Sequence, residues 1–330
     1  MADRTVAVGD LVPNPSPRVP RPAGAQPVAA GRTAASVAVG LLRTVRPRQW
    51  AKNLLVLAAP AAAGQLTASG NPSRLLLVFV LFTAAAGAVY LLNDALDVEA
   101  DRAHPAKCRR PIAAGTVPVA LAFAAAAVLA CTALVGSYLA LNAMATAAVA
   151  AYLVVQAVYC TTFKHLLVVD LVVVSSGFLV RALVGGLAIG VPISGWFLIT
   201  TSFGALFVVS AKRYSELKLM ADRAGATREL LADYSVGYLR FVWQLAAGAT
   251  MLSYCLWATG YPAATAVTHP AVLPWRELSI APFLIGVLRY GVFADHGTAG
   301  APEDVILRDR PLLITALVWT AVYGCAVHGR

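Results

Sequence analysis

Charged side chains are scarce in this chain: they make up 13% of 330 residues, against 59% hydrophobic ones, and the mean hydropathy is +0.72. That balance excludes an ordinary soluble globular domain. Cysteine spacing suited to metals or disulfides is also missing. The five cysteines, at 108, 131, 160, 255 and 325, include no C-x-x-C pair, and four lie in or beside apolar runs, so they read as small hydrophobes. His104, His165 and His296 have no H-E-x-x-H or similar ligand spacing, and zinc is not expected. There is no P-loop, no G-x-S-x-G and no dinucleotide fingerprint. No apolar h-region opens the chain, so the Pro-, Ala- and Arg-rich residues 1–35 read as a disordered extension and not a signal peptide.

What the chain has in quantity is apolar length. Runs recur near the roughly 20 residues that cross a bilayer. They predict nine spans, at roughly 53–69, 74–93, 117–136, 140–160, 166–190, 195–212, 238–259, 277–294 and 311–328. The expected fold class is all-α integral membrane, with residues 36–330 as one polytopic domain. Just ahead of the first span, LLRTVRPRQWAK at 41–52 mixes Arg43, Arg46, Arg48 and Lys52 with Leu and Trp, as a short interfacial helix does. The net charge of +10 is sided. Loops after even-numbered spans carry Arg102, Lys107, Arg109, Arg110, Lys164, Lys212, Arg213 and others, whereas the remaining loops offer only Arg74 and Arg276. The positive-inside rule then puts the N-terminus and the charged loops in the cytoplasm of a cell-membrane protein. The basic balance reports topology, and nucleic acid is not an expected partner.

The most informative polar pattern is N-D-x-x-D-x-x-x-D, formed by Asn93, Asp94, Asp97 and Asp101 where an apolar run meets water. On a helix, steps of three and four residues put the three carboxylates on one face, over roughly 10 Å. Three like charges in a stripe suit a divalent cation, and hard carboxylate oxygens suit Mg²⁺ shared with substrate phosphates. The plainer reading is a solvated acidic helix end, neutralised by Arg102, Lys107, Arg109 and Arg110. Those cations adjoin the acids, however, and arginines beside metal-holding carboxylates are what a phosphorylated substrate needs.

Two further clusters fall on the same face. Tyr159, Lys164, His165 and Asp170 surround the turn between spans four and five, and Arg181 lies eleven residues deeper, about 16 Å along the helix. Ionisable groups at such depth are costly and mark function or an interhelical salt bridge. Lys212, Arg213, Tyr214 and Glu216 close span six. They are spaced for surface ion pairs, or to present cations to a phosphate. The polar stretch at 219–235 reads as a lid, and the loop at 295–310 as support or a second lid.

These residues resemble the UbiA superfamily of intramembrane prenyltransferases, which implies a nine-helix bundle with a cytoplasm-facing active site. By that resemblance Asp94, Asp97 and Asp101 hold Mg²⁺ and a diphosphate. The superfamily's aromatic prenyltransferases carry a second D-x-x-x-D motif after span six, where this chain has KRYSEL at 212–217. Longer strings, RPRQWAKNLLVLAAP at 46–60, YLLNDALDVEADRAHPAKCRRPIAAG at 90–115, YLRFVW at 238–243 and APEDVILRDR at 301–310, resemble the decaprenyl-phosphate phosphoribosyltransferase branch. That implies transfer of 5-phosphoribose from phosphoribosyl pyrophosphate (PRPP) to a polyprenyl phosphate lipid for cell-wall arabinan precursors. The catalytic set expected is Asp94, Asp97, Asp101, Lys164 and Arg181. The binding set is Asn93, Lys107, Arg109, Arg110, Tyr159, Asp170, Lys212, Arg213, Tyr214 and Glu216. A homo-oligomer is compatible with this composition. The competing readings are an aromatic prenyltransferase using a polyprenyl diphosphate, which needs a second acidic pair, and a transporter lined by Asp170 and Arg181.

Overall fold

The computed structural model describes residues 33–221, 233–260 and 273–328, and every regular element among them is helical. In an apolar medium each backbone N–H has to find its carbonyl within the segment, and long Ala/Leu/Val runs do this as helices. Prolines 72, 282 and 311 fall in first turns, where the missing N–H has no intrahelical partner to lose. The elements are α1 (Ala34–Thr44), a 3₁₀ segment (Pro47–Leu57), α2 (Ala58–Ala62), α3 (Asn71–Leu96), α4 (Val98–Ala103), α5 (Val119–Ala140) and α6 (Ala143–Thr161). Then follow α7 (Val169–Ile189), α8 (Gly195–Ala221), α9 (Val236–Thr259), α10 (Trp275–Leu278), α11 (Ile280–His296), α12 (Pro302–Arg308) and α13 (Arg310–His328).

Among the described residues, seven helices are long and apolar enough to cross a membrane: α3, α5, α6, α7, most of α8, α10 with α11, and α13. Helix α9 is long enough at 24 residues but falls outside those seven, its apolar run diluted by Arg240 and Gln244. The expected first span, 53–69, is not one helix. The 3₁₀ segment and the five-residue α2 fill most of it, and Gly64 with φ +66° turns the chain away. A nine-helix count is therefore not reached among the described residues. The expected lid at 219–235 and the extension at 1–35 lie largely outside them.

The 3₁₀ segment explains its own sequence. Side chains three apart eclipse in such a helix, and the three edges have separate roles. Asn53 and Val56 are buried, and Ala59 continues their line; Ala51 and Leu54 are exposed; Arg46, Gln49 and Lys52 form a half-buried polar edge. Helix α7 closes directly on this segment. A Cβ added to Gly185 would stand 1.8 Å from the carbonyl oxygen of Val56, and one on Gly186 would stand 2.7 Å from Ala59 Cβ. Only small residues permit such an approach.

Three apolar clusters hold the bundle. One joins α8, α9 and α11 around Phe207, Tyr214, Trp243 and Tyr290. A second joins α3, α6, α7 and the 3₁₀ segment around Val56, Phe82 and Tyr152. The third packs the end of α3 on α5 and on Ile112 and Val117. Asn142 ties α6 to the far end of α7: its side-chain oxygen caps Ala145 N at 2.9 Å while its amide donates to the carbonyl of Leu187 at 2.8 Å.

Candidate active site

The acidic run straddles a break. Helix α3 ends at Leu96, α4 starts at Val98, and Asp97 sits between them. The single three-carboxylate stripe expected from spacing therefore splits in two. Asp94 and Asp101, both buried, converge on one guanidinium: Arg110 Nη1 donates to Asp94 Oδ1 at 3.0 Å and to Asp101 Oδ2 at 2.7 Å. Arg46 Nη2 also donates to Asp94 Oδ1, at 2.7 Å, and Lys107 Nζ lies 4.0 Å from Asp101. Asp97 pairs instead with Lys164, across from the turn after α6. Asn93 accepts from the Cys160 thiol at 3.7 Å. Arg109 is exposed.

These donors fit Mg²⁺ in kind. Three carboxylates and an amide provide hard oxygens, and Arg110 already draws two of the carboxylates to one positive atom. Among the described residues no three acidic, His or Cys side chains surround a single point.

Asp170, fully buried at the start of α7, is the second centre. Arg213 of α8 meets it with two hydrogen bonds, Tyr159 donates a third, and Arg213 also reaches Glu216 at 3.0 Å. The interhelical salt bridge is thus Asp170 with Arg213. Ahead of Asp170, Val168 holds φ +66°, costly for a β-branched residue, and its N–H donates to the Tyr234 hydroxyl at 2.7 Å. Burial lifts the Tyr234 phenol above its ordinary pKa, so it stays neutral there.

Among the described residues, Arg181 has no carboxylate partner. Its Nε donates to Asn53 at 3.1 Å, Nη2 to the Tyr152 hydroxyl at 3.1 Å and Nη1 to the Gly177 carbonyl at 2.9 Å. The rings of Phe82, Tyr152 and Phe178 surround it at 5.3–5.6 Å. Tyr214 faces away from Asp170: it is buried against Trp243, and its hydroxyl accepts from Arg240 of α9 at 2.7 Å. Both tyrosines, 159 and 214, are buried.

Sequence reasoning passed over the polar 3₁₀ edge. Arg46 reaches Asp94 and lies 4.7 Å over the Tyr90 ring; Gln49 accepts from the Tyr90 hydroxyl at 3.2 Å; Lys52 pairs with Glu303 of α12 at 3.4 Å. The signal was present as the three-residue spacing in RPRQWAK. Lys212 of α8 lies 3.8 Å from Glu216. At the opposite end of α7 and α8, an apolar cavity of about 430 Å³ opens between α2, α8 and α13, lined by Trp196, Tyr254, Phe283 and Trp319 among others.

The UbiA prenyltransferase family profile matches residues 54–281. The chain belongs to this family. A decaprenyl-phosphate phosphoribosyltransferase of Mycobacterium tuberculosis is 47% identical over 300 residues, covering 89% of this chain and 96% of the relative. One from Corynebacterium glutamicum is 44% identical over 298 residues, covering 89% and 88%. Among solved structures, a UbiA homolog from Archaeoglobus fulgidus bound to GPP and Mg²⁺ superposes with a TM-score of 0.64 at 16% identity, covering 88% of this chain and all of that one. At that identity the likeness carries the fold of this UbiA chain: a multi-pass helical membrane bundle.

Proposed function

We propose that the chain transfers 5-phosphoribose from PRPP to decaprenyl phosphate, releasing pyrophosphate, at a site facing the cytoplasm within residues 36–330. The observation that carries this reading is the near full-length similarity to relatives of that name, on a site whose charges suit it. A new bond forms between an oxygen of the lipid phosphate and C1 of ribose. The C1–O bond to pyrophosphate breaks, and its electron pair leaves with pyrophosphate. The attacking phosphate is already anionic, so no base is required; it has to be positioned.

The carboxylates of Asp94, Asp97 and Asp101 would hold Mg²⁺, which when bound supplies positive charge to the leaving pyrophosphate. Arg46, Arg110 and Lys107 border the same carboxylates and are placed to clamp phosphate oxygens bidentately or as point charges. Lys164 stands on the other side of Asp97. Arg213 and Asp170 set the position of α8 against α7 beneath the site. The apolar cavity, with Arg276 on its border, offers space for isoprenoid units away from the acidic run. An aromatic prenyltransferase would call for a second acidic pair at the end of α8. That helix carries Arg213, engaged with Asp170, and Lys212 there instead.

The test is pyrophosphate release by the purified protein in detergent. Release from PRPP that depends on decaprenyl phosphate supports the reading. Release only from a polyprenyl diphosphate with an aromatic acceptor overturns it.

A further inference from the structure

A donor with phosphate groups at both ends of a ribose, and an acceptor that is itself a phosphate, require more than one anion pole. The 3₁₀ edge has two ends. Arg46 meets the carboxylates, and Lys52 lies six residues on, roughly 12 Å away at about 2.0 Å per residue. At that second end the charges are only loosely matched. Lys52 and Glu303 are 3.4 Å apart, and Glu303 is 45% exposed on a seven-residue helix. Lys212 is 3.8 Å from a Glu216 that Arg213 already holds at 3.0 Å. The Arg46–Asp94 and Arg110–Asp101 pairs, by contrast, close to 2.7 Å. Ala299, four residues ahead of Glu303, donates its N–H to Ser215 Oγ of α8 at 3.1 Å, which brings the approach to α12 beside the turn of α8 that follows Lys212, and the charges of Lys52 and Glu303 act on Lys212. Two half-buried ammonium groups, one on a partly solvated glutamate and the other on a glutamate already committed to Arg213, are weakly paired, and a dianion displaces such pairing.

We infer that Lys52 and Lys212 form a binding pair for a phosphomonoester, with Glu303 of α12 as the counter-ion that the phosphate replaces. The inference rests on the transferase reading, which supplies two phosphomonoesters: the 5-phosphate of the donor and the head group of the lipid. Lysine suits this work as a compact charge with three rotatable donors. Glu303 competes with the ligand, so its neutralisation does not weaken binding as loss of either lysine does. A simple clasp between α12 and the 3₁₀ segment would make Lys52→Met and Glu303→Gln alike.

The experiment measures binding to the full chain in detergent, without turnover, using ribose 5-phosphate and farnesyl phosphate as separate probes. Elution volume and melting temperature report folding of each variant. For one probe, Lys52→Met and Lys212→Met are expected to raise Kd about tenfold or more, while Glu303→Gln leaves it unchanged or lowers it. Dependence on ribose 5-phosphate assigns the pair to the donor; dependence on farnesyl phosphate assigns it to the acceptor. Three results overturn the inference: no binding of either probe by the unaltered protein, unchanged Kd in both lysine variants, or weakening by Glu303→Gln equal to that by Lys52→Met. If Lys52→Met does not fold, Lys212→Met and Glu303→Gln decide the question between them. Pyrophosphate release is read separately, so a wrong transferase reading and a wrong phosphate pair give different results.

Discussion

Arg213 meets both carboxylate oxygens of Asp170, Nε to Oδ2 at 3.1 Å and Nη2 to Oδ1 at 3.2 Å, with both residues buried between α7 and α8. Such a pair is weak proof of net stability, but breaking it strands a charge. Asp170→Asn and Arg213→Met are each expected to cost about 3–5 kcal/mol. Arg213→Lys gives only partial rescue, because an ammonium cannot reproduce the two-pronged contact. Thermal unfolding in detergent measures all three.

The carboxylates of the acidic run predict a different signature. Asp94→Asn and Asp97→Asn are expected to lower turnover by about a hundredfold or more while the protein keeps its elution volume, since charge complementary to the leaving group is the larger catalytic contribution. Chelation with EDTA is expected to abolish turnover in the unaltered protein, and added Mg²⁺ to restore it. Steady-state kinetics with and without chelator check both expectations.

Gly185→Ala tests the seating of the 3₁₀ segment. The added methyl would stand 1.8 Å from the Val56 carbonyl, so α7 and the segment have to part. The expected cost is about 1–3 kcal/mol or more. Turnover falls as well, because Arg46 and Lys52 move with their backbone. Melting temperature and substrate KM are the readouts. A variant as stable and active as the parent would contradict this packing.

Acid should loosen α12. Burial disfavours the ionised form of Glu303, but a hydrogen bond from its own backbone N–H and the nearby Lys52 ammonium outweigh it and hold the carboxyl below its ordinary 4.5. A carboxylate depressed in this way stabilises the fold above that ordinary value, and its contribution disappears as pH falls through the lowered one. Between pH 6 and about pH 3, the melting temperature of Glu303→Gln is therefore expected to fall less steeply than that of the unaltered protein.

The membrane helices were legible because lipid imposes a simple rule on length and apolarity, and α3, α5, α6 and α7 lie within a few residues of their expected bounds. The first span was misread for a local reason. Residues 47–57 repeat every three, and apolar content alone does not separate a 3₁₀ segment from an interfacial helix running into a span. The acidic run was found from spacing, yet its partition was not: Arg110, nearby in sequence, takes Asp94 and Asp101, while Lys164, 67 residues away, takes Asp97, a division set by how the two loops fold. The pairs Lys212–Glu216 and Arg213–Glu216 follow helical spacing and are present. Arg213's grip on Asp170, 43 residues away, required the fold.

Transfer of label tests the central claim most directly. Purified protein is incubated with PRPP labelled in the ribose, decaprenyl phosphate and Mg²⁺, and label is counted in the organic phase. The account predicts lipid-linked label that requires the lipid, the metal and an intact Asp94. Folded protein that releases no label into that phase, or that instead moves a polyprenyl chain onto an aromatic acceptor, would contradict it.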